Sequence, residues 1–166
     1  MVSAVHRSYR TLAAMAIALC SAAPLAAQSL MDLPECTLIP GSPDSCAPIA
    51  ACMPGDGVYL VGRAVGWDYG TLGGVTNTGV SCIGTWDTRG IGGVGRVSFE
   101  CEDGLSGRVI YYSRDSLTGT AHGRGMTNAL SQIEGWSGEF IEEFLRADTG
   151  QLDGELMCGE VPMLLS

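Results

Sequence analysis

The sequence predicts a mainly β protein, an antiparallel barrel or curled sheet with one short C-terminal helix, stapled by disulfides. Three observations predict it. Six segments between residues 58 and 126 have strand length and are separated by glycine-rich or polar turns, the spacing of a sandwich, barrel or roll. All 24 glycines lie from Gly41 onward, and glycines inside strands mark bulges, sharp coiling or close backbone packing. Beyond residue 27 the chain holds an even set of cysteines: Cys36, Cys46, Cys52, Cys82, Cys101 and Cys158.

The first element is a leader. Residues 1–10 carry His6, Arg7 and Arg10 and no acid, an apolar run follows to Cys20, and small residues fill 21–27. Positive flank, short apolar core and small-residue exit form a secretory signal peptide. Cleavage is expected after Ala27. The apolar core is shorter than the roughly 20 residues that spanning needs. Leu19 before Cys20 is not the small residue that a lipidation site wants. Export to the periplasm or the medium is expected, with no membrane insertion after cleavage. In an exported chain six cysteines read as a disulfide framework.

Residues 28–56 read as a Pro- and Cys-rich N-terminal strap, and residues 57–166 as the β-domain. Pro34, Pro40, Pro43, Pro48 and Pro54 interrupt the strap, each removing a backbone donor, so at most one helical turn is expected there, at 47–52. The strand candidates are 58–67, 71–76, 80–87, 95–102, 108–113 and 119–126. The turn at 88–93 supplies glycines that tolerate positive φ. Glu102-Asp103-Gly104 is an Asp-Gly hairpin, and 114–119 is a polar loop. A hairpin centred between Ile91 and Gly92 puts Cys82 directly opposite Cys101, within disulfide reach. Cys158 then ties the C-terminal strand to the strap. A helix is expected over 138–146, with Ser137 as N-cap and Phe140, Ile141, Phe144 and Leu145 on one face. Residues 152–158 read as a last strand and 161–166 as a tail.

Charge excludes some partners. The mature part, about 139 residues, has seven arginines, no lysine and eighteen acids. A net charge of about −11 leaves no footprint for nucleic acid; a protein partner is expected, and a basic one fits best. Gly90-Ile-Gly-Gly-Val-Gly95 matches G-x-G-x-x-G, but a strand pattern follows it where a dinucleotide site needs a helix. It reads as a hairpin turn. Glu100, Glu102 and Asp103 lack the alternating spacing of a calcium loop. No Cys-x-x-Cys pair accompanies His122, so zinc spacing is missing, and neither metal nor cofactor is expected.

Two sets of residues carry candidate chemistry. His122 is an imidazole, the usual general base of nucleophilic sites, and with Asp115 and either Ser113 or Ser116 would make one. No G-x-S-x-G elbow supports it. Trp67, Trp86, Tyr112 and Arg124 are candidate binding residues, since aromatic faces stack on ligands when they are not filling the core. Tyr111 and Tyr112 point to opposite faces of their strand.

The run Val61-Gly-Arg-Ala-Val-Gly-Trp67, with Cys82-Ile-Gly-Thr-Trp86, Cys101-Glu-Asp-Gly104, Thr118-Gly-Thr-Ala121 and Gly135-Trp-Ser-Gly138, resembles uncharacterised exported proteins of Gram-negative bacteria. That resemblance implies a periplasmic or secreted location and no particular activity. Val97-Ser-Phe-Glu-Cys-Glu-Asp-Gly104 followed by Val109-Ile-Tyr-Tyr112 is similar to the strand pair of periplasmic C-type lysozyme inhibitors, which are small disulfide-bonded barrels. The Ser-Gly-x-x-Tyr loop of that family has no clear counterpart.

The function expected from the sequence is a non-enzymatic exported binding protein, such as an inhibitor of a basic secreted enzyme. The alternatives are a small hydrolase acting through His122 and a self-assembling envelope component.

Overall fold

The computed structural model describes residues 35–90, 94–150 and 153–165. The expected leader lies outside the described residues, as do 28–34 of the strap. Eight strands follow one another in antiparallel order: β1 (Cys46–Met53), β2 (Val58–Trp67), β3 (Tyr69–Thr76), β4 (Ser81–Asp87), β5 (Gly95–Cys101), β6 (Ser106–Arg114), β7 (Ala121–Thr127) and β8 (Gln132–Ser137). β8 returns to pair with β1, so the sheet closes into a barrel. Helix α1 (Ile141–Thr149) and a hairpin of β9 (Leu156–Cys158) and β10 (Val161–Met163) complete the chain.

Along each barrel strand alternate residues face the lumen and the exterior. Ile49, Leu60, Leu72, Val109 and Ile133 face inward and are buried. On the outside of β1, β2 and β8 lies a second apolar layer. There Ala50, Cys52, Tyr59, Val61 and Trp136 are covered by Ile141 and Leu145 of α1 and by Leu156, Cys158 and Met163 of the hairpin. β1 is therefore buried on both faces.

This corrects the boundary read from the sequence. Residues 46–53 of the proline-rich strap form the strand that closes the barrel, and 47–52 is not a helical turn. A strand covered on both sides reads as a continuous apolar run, here Ile49-Ala-Ala-Cys-Met53, without alternation. Pro48 is tolerated for a geometric reason. The β8 ladder spans only Ile49 to Cys52, and the Pro48 carbonyl accepts from Gly138 N–H just past its end. The missing proline N–H thus falls where the ladder has run out.

Ser137 is the last residue of β8 and caps nothing; α1 begins at Ile141 behind Phe140, with no side-chain cap. It still obeys the expected electrostatics. Glu142 and Glu143 sit in its first turn and Arg146 in its last, complementing the macrodipole. Gly150 ends it in the left-handed conformation, φ 70°, a common helix terminator. Residues 161–163, expected in a tail, pair with β9.

Three disulfides hold the assembly. Cys82–Cys101 joins directly opposed residues of β4 and β5, as the hairpin arithmetic predicts. Cys36–Cys46 ties the N-terminal segment to the start of β1. Cys52–Cys158 fastens the outer hairpin to the outer face of β1. The last spans 106 residues and Cys82–Cys101 spans 19. Loop-closure entropy then predicts a loss of about 4–5 kcal/mol for Cys52→Ala/Cys158→Ala against about 3 kcal/mol for Cys82→Ala/Cys101→Ala. Guanidinium unfolding of the two double variants measures this, and equal losses would contradict it.

Candidate lumenal binding site

An eight-stranded barrel is just wide enough for its side chains to fill it or for one small ligand. Here one end is filled. Met53, Leu60, Phe99, Leu105 and Ile133 pack together near the Cys82–Cys101 bridge, and all but Leu105 also line the space beyond them. The other end is not, because its inward positions are small: Ala64 and Gly66 on β2, Gly95 on β5, Ala121 on β7, Gly135 and Ser137 on β8. The result is a cavity of about 730 Å³, within the range of about 300–1,000 Å³ usual for ligand pockets.

Two aromatic side chains shape its walls. Trp86 projects inward from β4 and Tyr111 from β6. Tyr111 has glycine on both neighbouring strands, Gly95 and Gly123 in register. Its ring lies over β8 as well: a Cβ built on Gly135 would stand 2.8 Å from the Tyr111 hydroxyl oxygen. The tyrosine therefore lies along the wall and leaves the lumen open. Four strands round from β6 is β2, with Ala64 and Gly66; four round from β4 is β8, with Gly135 and Ser137. Each aromatic thus looks across toward small residues.

Tyr111 sits deep, and burial raises its phenol well above the ordinary tyrosine value. It nevertheless keeps accessible surface, which belongs to the cavity wall. Its hydroxyl makes no hydrogen bond among the described residues and is not occluded. The Trp86 Nε1 is also unpartnered but is fully occluded.

The rim carries the polar chemistry of turns. Trp67 and Asp68 from the β2–β3 turn, Thr88, Tyr112, Arg114 and Phe140 surround the opening, with Leu38 of the N-terminal segment. In the 115–120 loop the Asp115 carboxylate accepts from Leu117 N–H, Thr118 N–H and Thr118 Oγ1. These bonds hold its pKa below the usual value. Beside the rim, Arg89 donates to Asp87 twice from its guanidinium and once from its backbone N–H, and stacks over Tyr69 at 4.0 Å.

Of the binding candidates, Trp67 and Trp86 gather at one site, while Tyr112 stands at the rim with its ring against His122, 5.7 Å between centroids. Arg124 does not: it lies on the exterior of β7, where its Nε is 2.9 Å from Glu134. His122 is also exterior. Its ring stacks on Trp136 at 5.8 Å and contacts Tyr112 and Phe144, with Glu134 at 3.8 Å. Among the described residues neither Ser113, Ser116 nor Asp115 bonds to it, since Asp115 is spent on its own loop. No metal-holding cluster occurs among the described residues. Gly90 to Gly95 connects two antiparallel strands, so the glycine motif is a hairpin connection.

No protein-family model matches the chain, and no curated protein matches it. A solved structure described as the de novo design of a fluorescence-activating β-barrel is similar at 15% identity and a TM-score of 0.45, covering 61% of this chain and 93% of the other.

The Arg89 bonds draw the Asp87 carboxyl down from 3.8 to about 2. A depressed carboxylate contributes its clamp fully above the unfolded pKa and loses it as pH falls through the folded one. The Asp87 carbon resonance should therefore titrate near 2 and return toward 3.8 in Arg89→Ala. An unshifted midpoint in the native protein would contradict the clamp.

Proposed function

We propose that the chain is an exported, non-enzymatic binding protein that holds one small apolar molecule in the open end of its barrel. The cavity carries this reading: an eight-stranded lumen left unfilled by inward glycine and alanine, walled by aromatic and aliphatic side chains. Such a concave, largely apolar site with a few polar groups is the usual form of a small-molecule pocket. Three disulfides suit an oxidising compartment, in keeping with the periplasm or the medium. Among the described residues no helix is long and apolar enough to cross a membrane. On the outer faces Arg63, Glu100, Arg108 and Arg124 are exposed, which breaks up any apolar band of the kind a lipid-facing barrel wears.

The lumen takes precedence over the basic protein partner expected from the charge. The cavity is a built feature with defined walls, whereas that partner rests on net charge and a sequence resemblance. Likewise the hydrolase reading lacks a hydroxyl hydrogen-bonded to His122 among the described residues.

The neutral dye N-phenyl-1-naphthylamine tests the proposal. Its fluorescence should rise saturably, with one dye per oxidised chain. Ala64→Trp, which puts a large ring into the void, should abolish the rise while the far-ultraviolet dichroism of the barrel persists. A dye signal indifferent to Ala64→Trp, or none at all with the native protein, would overturn it.

A further inference from the structure

Resting on the lumenal reading, we propose that the ligand is uncharged, with a flat apolar body and one oxygen acceptor that receives a hydrogen bond from the Tyr111 hydroxyl. The walls define the body. The inward side chains around the void include Ile49, Leu72, Trp86, Val97, Val109 and Tyr111, and the small residues of β2 and β8 complete the wall. The Tyr111 ring lies along the wall over Gly135, and ring faces in an apolar wall favour a planar body that can stack on them or meet them edge-on.

The charges define what is excluded. No ionisable group other than the tyrosine faces the deep lumen among the described residues; Asp68, Arg96, Arg114 and Glu139 stand at the rim. They balance in sign, two acids and two arginines. Arg114 already donates its Nε to Gly119 O. An ion carried into the lumen would lose its hydration with no countercharge to meet it, which costs far more than a neutral group does.

The polar atoms define the anchor. The indole N–H of Trp86 is closed off by its surroundings, so Trp86 offers a ring and not a donor. The Tyr111 hydroxyl is open to the cavity and unpartnered among the described residues. Burial holds the phenol in its protonated form, so it presents an O–H rather than a phenolate. A donor held in an apolar wall favours a ligand that brings the matching acceptor, since leaving it unpaired under an apolar ligand forfeits hydration without return.

Three probes of one shape separate the parts of the proposal: 2-acetylnaphthalene, its carbon isostere 2-isopropenylnaphthalene, and 2-naphthoate. Each competes against the dye in the native protein and in Tyr111→Phe, a variant checked for native dichroism and melting. The ketone should bind about fivefold more tightly than the isostere, relative to the same ratio in Tyr111→Phe, the size of one neutral hydrogen bond. The isostere should bind Tyr111→Phe at least as tightly as the native protein, and naphthoate should bind more weakly than the ketone. A ketone preference that survives Tyr111→Phe overturns the anchor while leaving lumenal binding intact. Naphthoate as the tightest probe overturns the exclusion of charge. Failure of all three, together with the dye, overturns the lumenal reading and this inference with it.

Discussion

At Gly62, Gly84, Gly123 and Gly125 a Cβ atom would run into the backbone of the adjacent strand. These glycines occupy the inward face, where a tightly curled sheet brings neighbouring backbones closest together. Side chains there would hold the strands apart and open the curl. Glycine removes the obstacle, and curvature and closure follow. The same substitution has a second effect, because a residue without a side chain fills no lumen. At Gly66 the two effects meet: a Cβ there would strike the Tyr69 carbonyl oxygen, and the position lines the open end of the cavity. Aromatic rings then lie over the bare backbone: Tyr111 over Gly135, and Phe99 against Gly107.

The outer layer solves a different problem. Closing the barrel through β1 and β8 places an apolar patch on the exterior, from Ala50 and Cys52 to Trp136. Helix α1 and the β9–β10 hairpin cover it, and Cys52–Cys158 fixes that cover to the closing strand. Ile141 is fully buried there. The seam of the barrel is thus the part most heavily braced, and the open end of the lumen is the part least filled. Thr120 links the two regions, since its Oγ1 donates to the Phe140 carbonyl at the entry to α1.

The middle of the barrel was legible in the sequence. β2 runs over the residues that its alternation marks, and β3 to β7 differ from expectation by a residue or two at their ends. Cys82–Cys101 followed from symmetry about the hairpin. β1 was hidden because burial on both faces erases alternation and because Pro48 looked prohibitive. β8 was hidden because Ser137 read as a helix cap and no strand was expected ahead of it. The site was legible only in part. Aromatic type alone marked Trp67, Trp86 and Tyr112, while alternation with the inward Gly123 and Gly125 puts His122 and Arg124 on the exterior, beside Trp136 and Glu134. Tyr111 carried a signal that parity could have supplied: an inward aromatic whose partners in register are both glycine. Which face a glycine occupies depends on the register of the whole sheet, and a linear pattern does not display it.

The central claim is that inward glycines leave an apolar void beside Trp86 and Tyr111. Dry apolar cavities take up xenon. A crystal of the oxidised protein, pressurised with xenon, measures the claim directly. The account predicts xenon density in the lumen between the Trp86 and Tyr111 rings and the small residues of β2 and β8. A lumen filled by repacked side chains, with no xenon in it, would contradict it.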